Sequence, residues 1–477
     1  MRIPAEIKAV KRPVNTVVRD YFGKFKVVKR TCKYINKKPT PVDKEIVGEI
    51  INFEFVAYQE PIPVGTRSSN KENKGTDIKD YGNIKLFTSK SEDILESLKR
   101  HFDSTTAVKL YVISIIRCCF PKATNSMLKH FYDTSFLSED FPKVGLSESM
   151  LPDFFEKTGR AYSAIENFMI DRINSFNGKV QIIDGTLKSY NSSDSAFSAW
   201  SRKGRIKGSK DFSLIYTYDL ESREPIYHRP YAGNMLDSTI FNDYLNNIPN
   251  SSGILIGDKG FKTEFITEKI NTANKLKYLF PLKRKTRILK EENIATGLVP
   301  VAIKDKQLLG KKLYIDNKFY YYFKDLEIES NEKKSLYFKQ IKKQNFDSEL
   351  FKKEVETYGT IVFESNADLT LEEVFIMYDQ RWEIEKMFNF YKNILELSAT
   401  RVHTDMRVYT TEFINYLSLI IGCRVKNNLV KLGLDKKYSF KQILELLKSY
   451  KMQYTNGQWR SSQLLKYVEE LVKQLNI

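Results

Sequence analysis

From Lys179 onward the chain changes texture, and that change constrains its fold more than any other feature. "VQIIDG" is a short apolar run ending in Asp184, and "FSLIYTYDL" and "EPIYHRPYAG" follow it as two further strand-like runs. "LDSTIFNDYLNNI" has helical spacing, "GILIGDKG" is a buried-type strand ending in Asp258, and "KYLFPLKRK" is another strand with a basic exit. Short apolar runs bounded by turn residues read as strands. Strands alternating with helices predict an α/β sheet. Asp184 and Asp258 each close a strand and each stands next to a glycine, in "QIIDGT" and "LIGDKGF". Ligands of open α/β sheets bind at the carboxyl ends of strands. If the two strands are neighbours, the two carboxylates converge. Taken singly, an aspartate at a strand end is more often a turn residue or a helix cap.

The rest of the chain divides around this core. Residues 1–90 are expected to be a β-rich segment, with "YFGKFKVVKRTCKYI" alternating apolar and basic residues as a half-exposed hairpin does, followed by a polar linker from Gly65 to Gly82. Residues 91–178 turn helical in "SEDILESLKRHF", "AVKLYVISIIRCCF" and "AYSAIENFMIDRINSF". This segment is either a DNA-reading unit or a plain bundle. The core occupies 179–285 and 363–431. Between these parts, 286–362 lose the helical signal and predict a β-rich insertion, with Asp316-Asn317 as a turn between aromatic strands. Residues 432–477 read as helical and lysine-rich, a dimerisation candidate.

The stretch "YDQRWEIEKMFNFYK" carries two glutamates. Thr370 followed by Glu373 is a capping-box start for a helix through it. At about 100° per residue, Tyr378, Arg381, Glu385 and Lys392 fall on one narrow face of a single helix. Glu383 falls well away from them, and Ile384, Met387, Tyr391 and Ile394 form an apolar stripe on the far side. A routine Arg381–Glu385 pair on a wet face is the competing reading. Glu385 on a helix packed against the sheet supplies a third carboxylate to Asp184 and Asp258. Three carboxylates without histidine or cysteine form a hard oxygen site suited to Mg²⁺ or Mn²⁺. Two such ions activate a water or a 3′-hydroxyl and stabilise the leaving oxygen of a phosphodiester.

Charge points to the same substrate class. A formal net charge of +18 and a pI near 9.3 call for a polyanionic partner, with nucleic acid first. The four cysteines form no C-x-x-C pair, so neither a zinc site nor a disulfide framework is expected and a reducing compartment fits. "MRIPAEIKAVKRP" has no apolar core of a signal peptide, and no run is long enough to span a membrane. A soluble, cytoplasmic protein is expected.

These residues resemble a known family. Tyr378-x₂-Arg381-x₃-Glu385-x₆-Lys392 is similar to the Y-R-E-K signature of insertion-sequence transposases of the DDE class, the group of insertion sequence four. "IIDGT" and "ILIGDKGF" look like that group's two aspartate motifs, "HRPYAGNMLD" resembles its G-N-x-x-D segment, and a β-rich insertion before the glutamate is also its mark. The resemblance covers roughly Lys179 to Gly422. It implies a fold of the α/β class, an RNase H-like mixed sheet with helices and helical terminal regions. It implies Asp184, Asp258 and Glu385 as a triad holding two Mg²⁺ ions, with Mn²⁺ as a substitute. Tyr378, Arg381 and Lys392 would hold phosphates. The implied activity is cut-and-paste transposition, cleavage at terminal inverted repeats and strand transfer into target DNA, with a hairpin end as one route. The implied assembly is a homodimer on double-stranded DNA in a bacterial or archaeal cell. Another RNase H-like nuclease or a non-catalytic DNA-binding protein is the rival.

Further DNA contacts are expected from two basic runs. Lys188 to Lys210 includes Lys188, Arg202, Lys203 and Arg205 in a Ser/Gly-rich loop with Trp200, and Lys275 to Lys290 includes Lys283, Arg284 and Lys285. Such runs neutralise phosphates without reading sequence. Trp200 either stacks on an extruded base or packs under its loop, the blander outcome being favoured. His228 has no partner in sequence and reads as structural.

Overall fold

Alternating apolar and basic residues near the N-terminus fold as a four-stranded antiparallel meander. Its strands are β1 (Thr16–Tyr21), β2 (Lys24–Ile35), β3 (Lys38–Ile51) and β4 (Glu54–Pro63). Alternation places Val18, Val27 and Ile50 on one face, where they bury with Ile7 of α1 (Ala5–Ala9). The computed structural model describes residues 3–21, 24–35, 38–63, 77–176, 178–200, 210–248, 252–272, 275–284, 286, 294–342, 348–398 and 400–477. They form two units, Met1–Asp77 and Ile78–Ile477. Most of the expected linker lies outside the described residues, as do Arg202, Lys203, Arg205 and Lys285.

The second unit begins with β5 (Asp77–Asp80) and the helices α2 (Gly82–Thr88), α3 (Glu92–His101), α4 (Ser104–Cys119), α5 (Leu128–Thr134), α6 (Leu137–Asp140), α7 (Leu151–Arg160) and α8 (Tyr162–Ser175). Asp103 caps α4 by accepting from the Thr106 N–H at 3.0 Å.

A nine-stranded sheet follows. The antiparallel meander β6 (Val180–Ser189), β7 (Asp211–Asp219) and β8 (Glu224–Ala232) is joined on the β6 side by β9 (Gly253–Ile256), parallel to β6, and then by β10 (Leu276–Pro281), parallel to β9. Taking these five in chain order, they lie 3-2-1-4-5 across the sheet, the RNase H-like arrangement. Crossover helices α9 (Asp237–Asn247) and α10 (Glu264–Thr272) make the parallel pairings possible.

Beyond β10 the sheet continues with strands of the insertion. In chain order these are β11 (Val299–Pro300), β12 (Leu308–Ile315) and β13 (Lys318–Asp325), with the returning strand β14 (Thr360–Ser365) lying between β13 and β10. The insertion also holds two helices, α11 (Leu326–Lys342) and α12 (Ser348–Val355). The fading helical signal has a physical cause in α11. Only Gln340 is buried along it, while Phe338 and Ile341 are exposed, so it carries no apolar stripe.

After α13 (Leu371–Asp379) and α14 (Trp382–Asn389) comes α15 (Asp405–Lys431), which is buried on nearly every side. It packs against α4 and α7 on one flank and β8 on the other. Gly159 of α7 is required by that contact, because a Cβ there would lie 2.0 Å from the Met406 carbonyl oxygen.

The C-terminal segment departs from the all-helical expectation. Between α16 (Phe440–Leu447) and α17 (Lys466–Leu475) lies a hairpin of β15 (Lys451–Thr455) and β16 (Gln458–Ser461), which pairs with β5. Asn456 and Gly457 form its two-residue turn, both with positive φ, the conformation an Asn-Gly pair favours. "YTNGQW" therefore carried the signal. Among the described residues, no helix is long and apolar enough to cross a membrane.

Candidate active site

Register brings the two aspartates together. Ile182 lies opposite Ile256 on the parallel strands β6 and β9. Two residues further on stand Asp184, still in β6, and Asp258, just past the end of β9, and both line the same cleft. β6 does not end at Asp184, however. It runs on to Ser189 because its second half keeps pairing with β7, with Asp184 opposite Tyr216. What ends near Asp184 is the partnership with β9, which leaves the carboxylate at an opening in the sheet.

That opening is a cleft of about 160 Å³ lined by Asp184, Thr186, Gly233, Asp237 and Asp258 among others. Burial pushes the Asp184 carboxyl up to about 6; the Gly185 N–H and Arg381 pull it down, and Asp258 and Glu385 push it up again. Its Oδ1 accepts from the Gly185 N–H at 2.8 Å. The sequence reading left Asp237 without a role, although the "GNMLD" segment that contains it was recognisable.

The helix bearing Glu385 is not the single rod of the wheel. Thr370 and Glu373 form the capping box of α13, which stops at Asp379. Helix resumes at Trp382 as α14 and widens into a π-type turn over Phe390–Ile394. Tyr378, Arg381 and Glu385 still meet, since they span neighbouring turns. Arg381 lies 3.3 Å from Glu385 Oε1 and 4.0 Å from Asp184 Oδ2, and its guanidinium sits 5.6 Å from the Tyr378 ring centre. Burial works against the Arg381 charge, but Tyr378, Asp184, Glu385 and Asp258 outweigh it and raise its pKa. Its Nε is buried without a hydrogen-bond partner. Tyr378 packs edge-on to Phe363 of β14, 4.5 Å between ring centres.

Lys392 lies within this π-type turn and reaches the sheet. Its Nζ donates to Thr186 Oγ1 at 2.6 Å and to the Leu187 carbonyl at 3.1 Å, beside Asp184. Glu383 points elsewhere and pairs with Lys386 at 2.7 Å.

The donor set is all carboxylate oxygen, which suits a hard divalent cation. The raised Asp184 carboxyl reflects its burial first, with Asp258 and Glu385 adding to it. Among the described residues, no three acidic, histidine or cysteine side chains stand close enough together to hold one ion. Glu385, with a side chain 40% exposed, has room to turn toward the aspartates.

Lys188 corrects an expectation. It is not a phosphate contact, because its side chain is wholly buried and paired with Glu412 at 2.8 Å. Nζ also donates to the Tyr391 hydroxyl and the Leu397 carbonyl, both at 2.9 Å. Burial raises the Glu412 carboxyl, but Lys188, Asn415 and Thr400 outweigh it and hold it below its usual range. The sequence signal was an isolated glutamate in the apolar run "TTEFINYLSLII", which needs a buried partner.

Trp200 is 60% exposed rather than packed under its loop, and Trp382 is likewise exposed. Lys283 and Arg284 are exposed, with Arg284 paired to Glu332 at 2.8 Å. His228 is buried between Tyr216 and Tyr416, and burial lowers its pKa to about 3, which leaves it neutral.

A family model described as a transposase DDE domain matches residues 175–420. No curated protein matches the chain. Among solved structures, the piggyBac transposase synaptic complex with hairpin DNA is 12% identical, covering 77% of this chain and 78% of that one with a TM-score of 0.41. The Mos1 transposase paired-end complex with left transposon end is 13% identical, covering 43% of this chain and 61% of that one with a TM-score of 0.16.

Proposed function

The chain belongs to the transposase DDE domain family, and on that premise we propose that it is a DNA transposase of the insertion-sequence-four type, with Asp184, Asp258 and Glu385 as its catalytic carboxylates. The observation that carries this reading is the convergence on Arg381 of Asp184 from the sheet and Glu385 from the helix, with Asp258, just past the end of the neighbouring strand, lining the same cleft as Asp184.

In this reading Asp184, Asp258 and Glu385 hold two Mg²⁺ ions, with Mn²⁺ as a substitute. Bound there, the cations supply Lewis acidity to the attacking and leaving oxygens of a phosphodiester. The protein's residues do the positioning. Arg381, whose Nε lacks a partner, offers a fork to a phosphate oxygen. Lys392 adds positive charge beside Asp184 and ties the helix to β6. Tyr378 backs Arg381 through its ring. Trp200 and the exposed basic residues Lys283 and Arg284 lie along the DNA, with Arg202, Lys203, Arg205 and Lys285 of the same runs, and contribute a salt-dependent, sequence-independent grip. The partners are the terminal inverted repeats of a mobile element and a target duplex. The protein acts as a homodimer by cut-and-paste chemistry, opening the second strand through a hairpin, within a prokaryotic cytoplasm. The helical segment 91–178 serves in DNA reading, and the C-terminal segment from Leu432 in dimerisation.

The deciding assay is strand cleavage of a terminal-repeat duplex in Mg²⁺ by the wild type, Asp258→Ala and Glu385→Ala. Cleavage by the wild type alone is expected. Variants that cut as well as the wild type refute the triad, and binding without any cleavage by the wild type favours a non-catalytic DNA-binding protein.

A further inference from the structure

Lys392 also lines a second, larger cavity, of about 610 Å³. This volume is in the range of pockets that hold a small organic ligand. Its wall includes Arg117, Asn125, Arg401 and Thr411, together with Lys392 itself. Three independent features of this wall point to an anion.

The first is a charge imbalance in the interior. Lys188 and Arg117 are both buried cations, and Glu412 is the carboxylate near them. Glu412 is already engaged by Lys188, Tyr391, Thr400 and Asn415. Arg117 is left with neutral acceptors, the Thr411 carbonyl at 3.3 Å, the Asn125 side chain at 3.4 Å and the Asn415 side-chain oxygen. Among the described residues it has no ion-pair partner. Burial lowers its pKa to about 10 even though Glu412 pulls the other way. A buried guanidinium without a counter-ion is costly, and an anion in the cavity would offset that cost.

The second feature is Thr411. It is 4% exposed, and its Oγ1 is buried with no hydrogen-bond partner. Buried hydroxyls are normally satisfied, so this one is open to a partner from the cavity. The third concerns the acids in the wall, of which Glu148 is exposed to solvent. Glu396 is bound by Lys122 at 3.6 Å and by Lys441 at 3.1 Å, so it does not neutralise Arg117. Arg401 is exposed at the mouth.

We propose that this cavity is a phosphate site, in which Arg117, Arg401 and the Thr411 hydroxyl receive a phosphate of a DNA strand whose next segment lies in the acidic cleft. Lys392 is the partition between the two spaces, for it lines the cavity while its Nζ bonds Thr186 on the wall of the cleft. A single strand draped over Lys392 therefore has one phosphate among the carboxylates and another at Arg117. The inference rests on the proposed DNA reading, and a free phosphate ion shares the same recognition chemistry.

The test uses the full chain without metal. Calorimetry measures binding of inorganic phosphate and of a short single-stranded oligonucleotide carrying a 5′-phosphate or a 5′-hydroxyl, to the wild type, Arg401→Gln, Thr411→Val and Arg117→Lys. Thermal melting verifies that each variant folds, and Arg401→Gln, at an exposed position, keeps the test open if Arg117→Lys does not. The expected result is a roughly tenfold weaker affinity of Arg401→Gln for the phosphorylated oligonucleotide, the size of one charged hydrogen bond, and a smaller loss for Thr411→Val. An oligonucleotide held tighter than inorganic phosphate assigns the site to a strand, and equal affinities overturn that assignment. Folded variants that bind every probe like the wild type overturn the site itself. Cleavage by the wild type is scored separately. If it cuts while the variants bind normally, only the cavity inference fails; if it does not cut while the variants lose phosphate, only the transposase reading fails.

Discussion

Replacing Asp184 by asparagine should make the metal-free protein more stable while removing the strand cleavage proposed above. The side chain is nearly isosteric and still accepts the Gly185 N–H bond. What it removes is a charge that the fold does not favour. A carboxyl moved from 3.8 to about 6 is harder to ionise in the folded state by about 3 kcal/mol. The side chain is 21% exposed, so this is an upper figure. The folded value lies above the unfolded one, so the stability held by the proton is fully present below about pH 4 and is lost as pH rises through about 6. At pH 8 the wild type bears the whole cost and the variant bears none. Over the unit Ile78–Ile477, 3 kcal/mol corresponds to roughly 3–4 °C in Tm. Melting curves of both proteins in chelator from pH 4 to pH 8 should show a difference near zero at the acid end and a plateau above about pH 7. Added Mg²⁺ should then raise the wild type and leave the variant unmoved, because bound ligand stabilises by mass action. A pH-independent difference, or a variant less stable at pH 8, would show that Asp184 is not a crowded, desolvated carboxylate.

Glu383→Ala should cleave a terminal-repeat substrate at the wild-type rate and Glu385→Ala should not, since Glu383 pairs with Lys386 and only Glu385 reaches Arg381; equal rates in a gel assay contradict the division. Lys188→Met leaves the Glu412 carboxylate buried without its cation, and urea unfolding should register a loss of about 3–5 kcal/mol. The salt dependence of DNA binding should stay as it is, and a flatter salt slope with unchanged stability would restore Lys188 as a phosphate contact. Trp200→Ala, at an exposed position, should change stability by less than about 0.5 kcal/mol while weakening single-stranded DNA in a fluorescence titration, and unaltered binding would remove it from the interface.

The geometry around Asp184 and Arg381 was more legible than the scaffold around it, and the reasons are local. Asp184 and Asp258 could be picked out because each follows a short apolar run, and the structure brings both to one cleft. Glu385 separated from Glu383 because the contact that matters, with Arg381, spans one helical turn. Lys392 lies within the π-type turn Phe390–Ile394, a widening that a wheel drawn at constant pitch does not contain, and its bond to Thr186 is a long-range one. Lys188 was misread because a basic residue in a polar stretch looks solvated, while its partner Glu412 lies 224 residues away on α15. Long-range pairings of that kind leave no periodic trace. Helix α11 was missed for the opposite reason, since a helix that buries almost nothing has no stripe to read. The hairpin at Asn456-Gly457 is different, because its turn signal was present and a lysine-rich helical context obscured it.

Arg381 joins the local and the long-range parts of the site. Carboxylates from two strands and a helix repel one another as the chain folds, and burial raises the cost further. A guanidinium placed between them offsets that repulsion before any divalent cation is present, and its always-charged fork does so at every physiological pH. In the proposed reading the same placement has a second use. A cation held by the carboxylates would compete with Arg381 for Asp184 and Glu385, leaving the fork, with Nε already unpartnered, open to a phosphate oxygen. Lys392 cannot take this role, because its Nζ is committed to β6 and holds the helix in register with the sheet. On that reading one arginine serves in turn as counter-ion and as phosphate ligand from its place at the break between α13 and α14, where a lysine would supply the charge but not the second face of the fork.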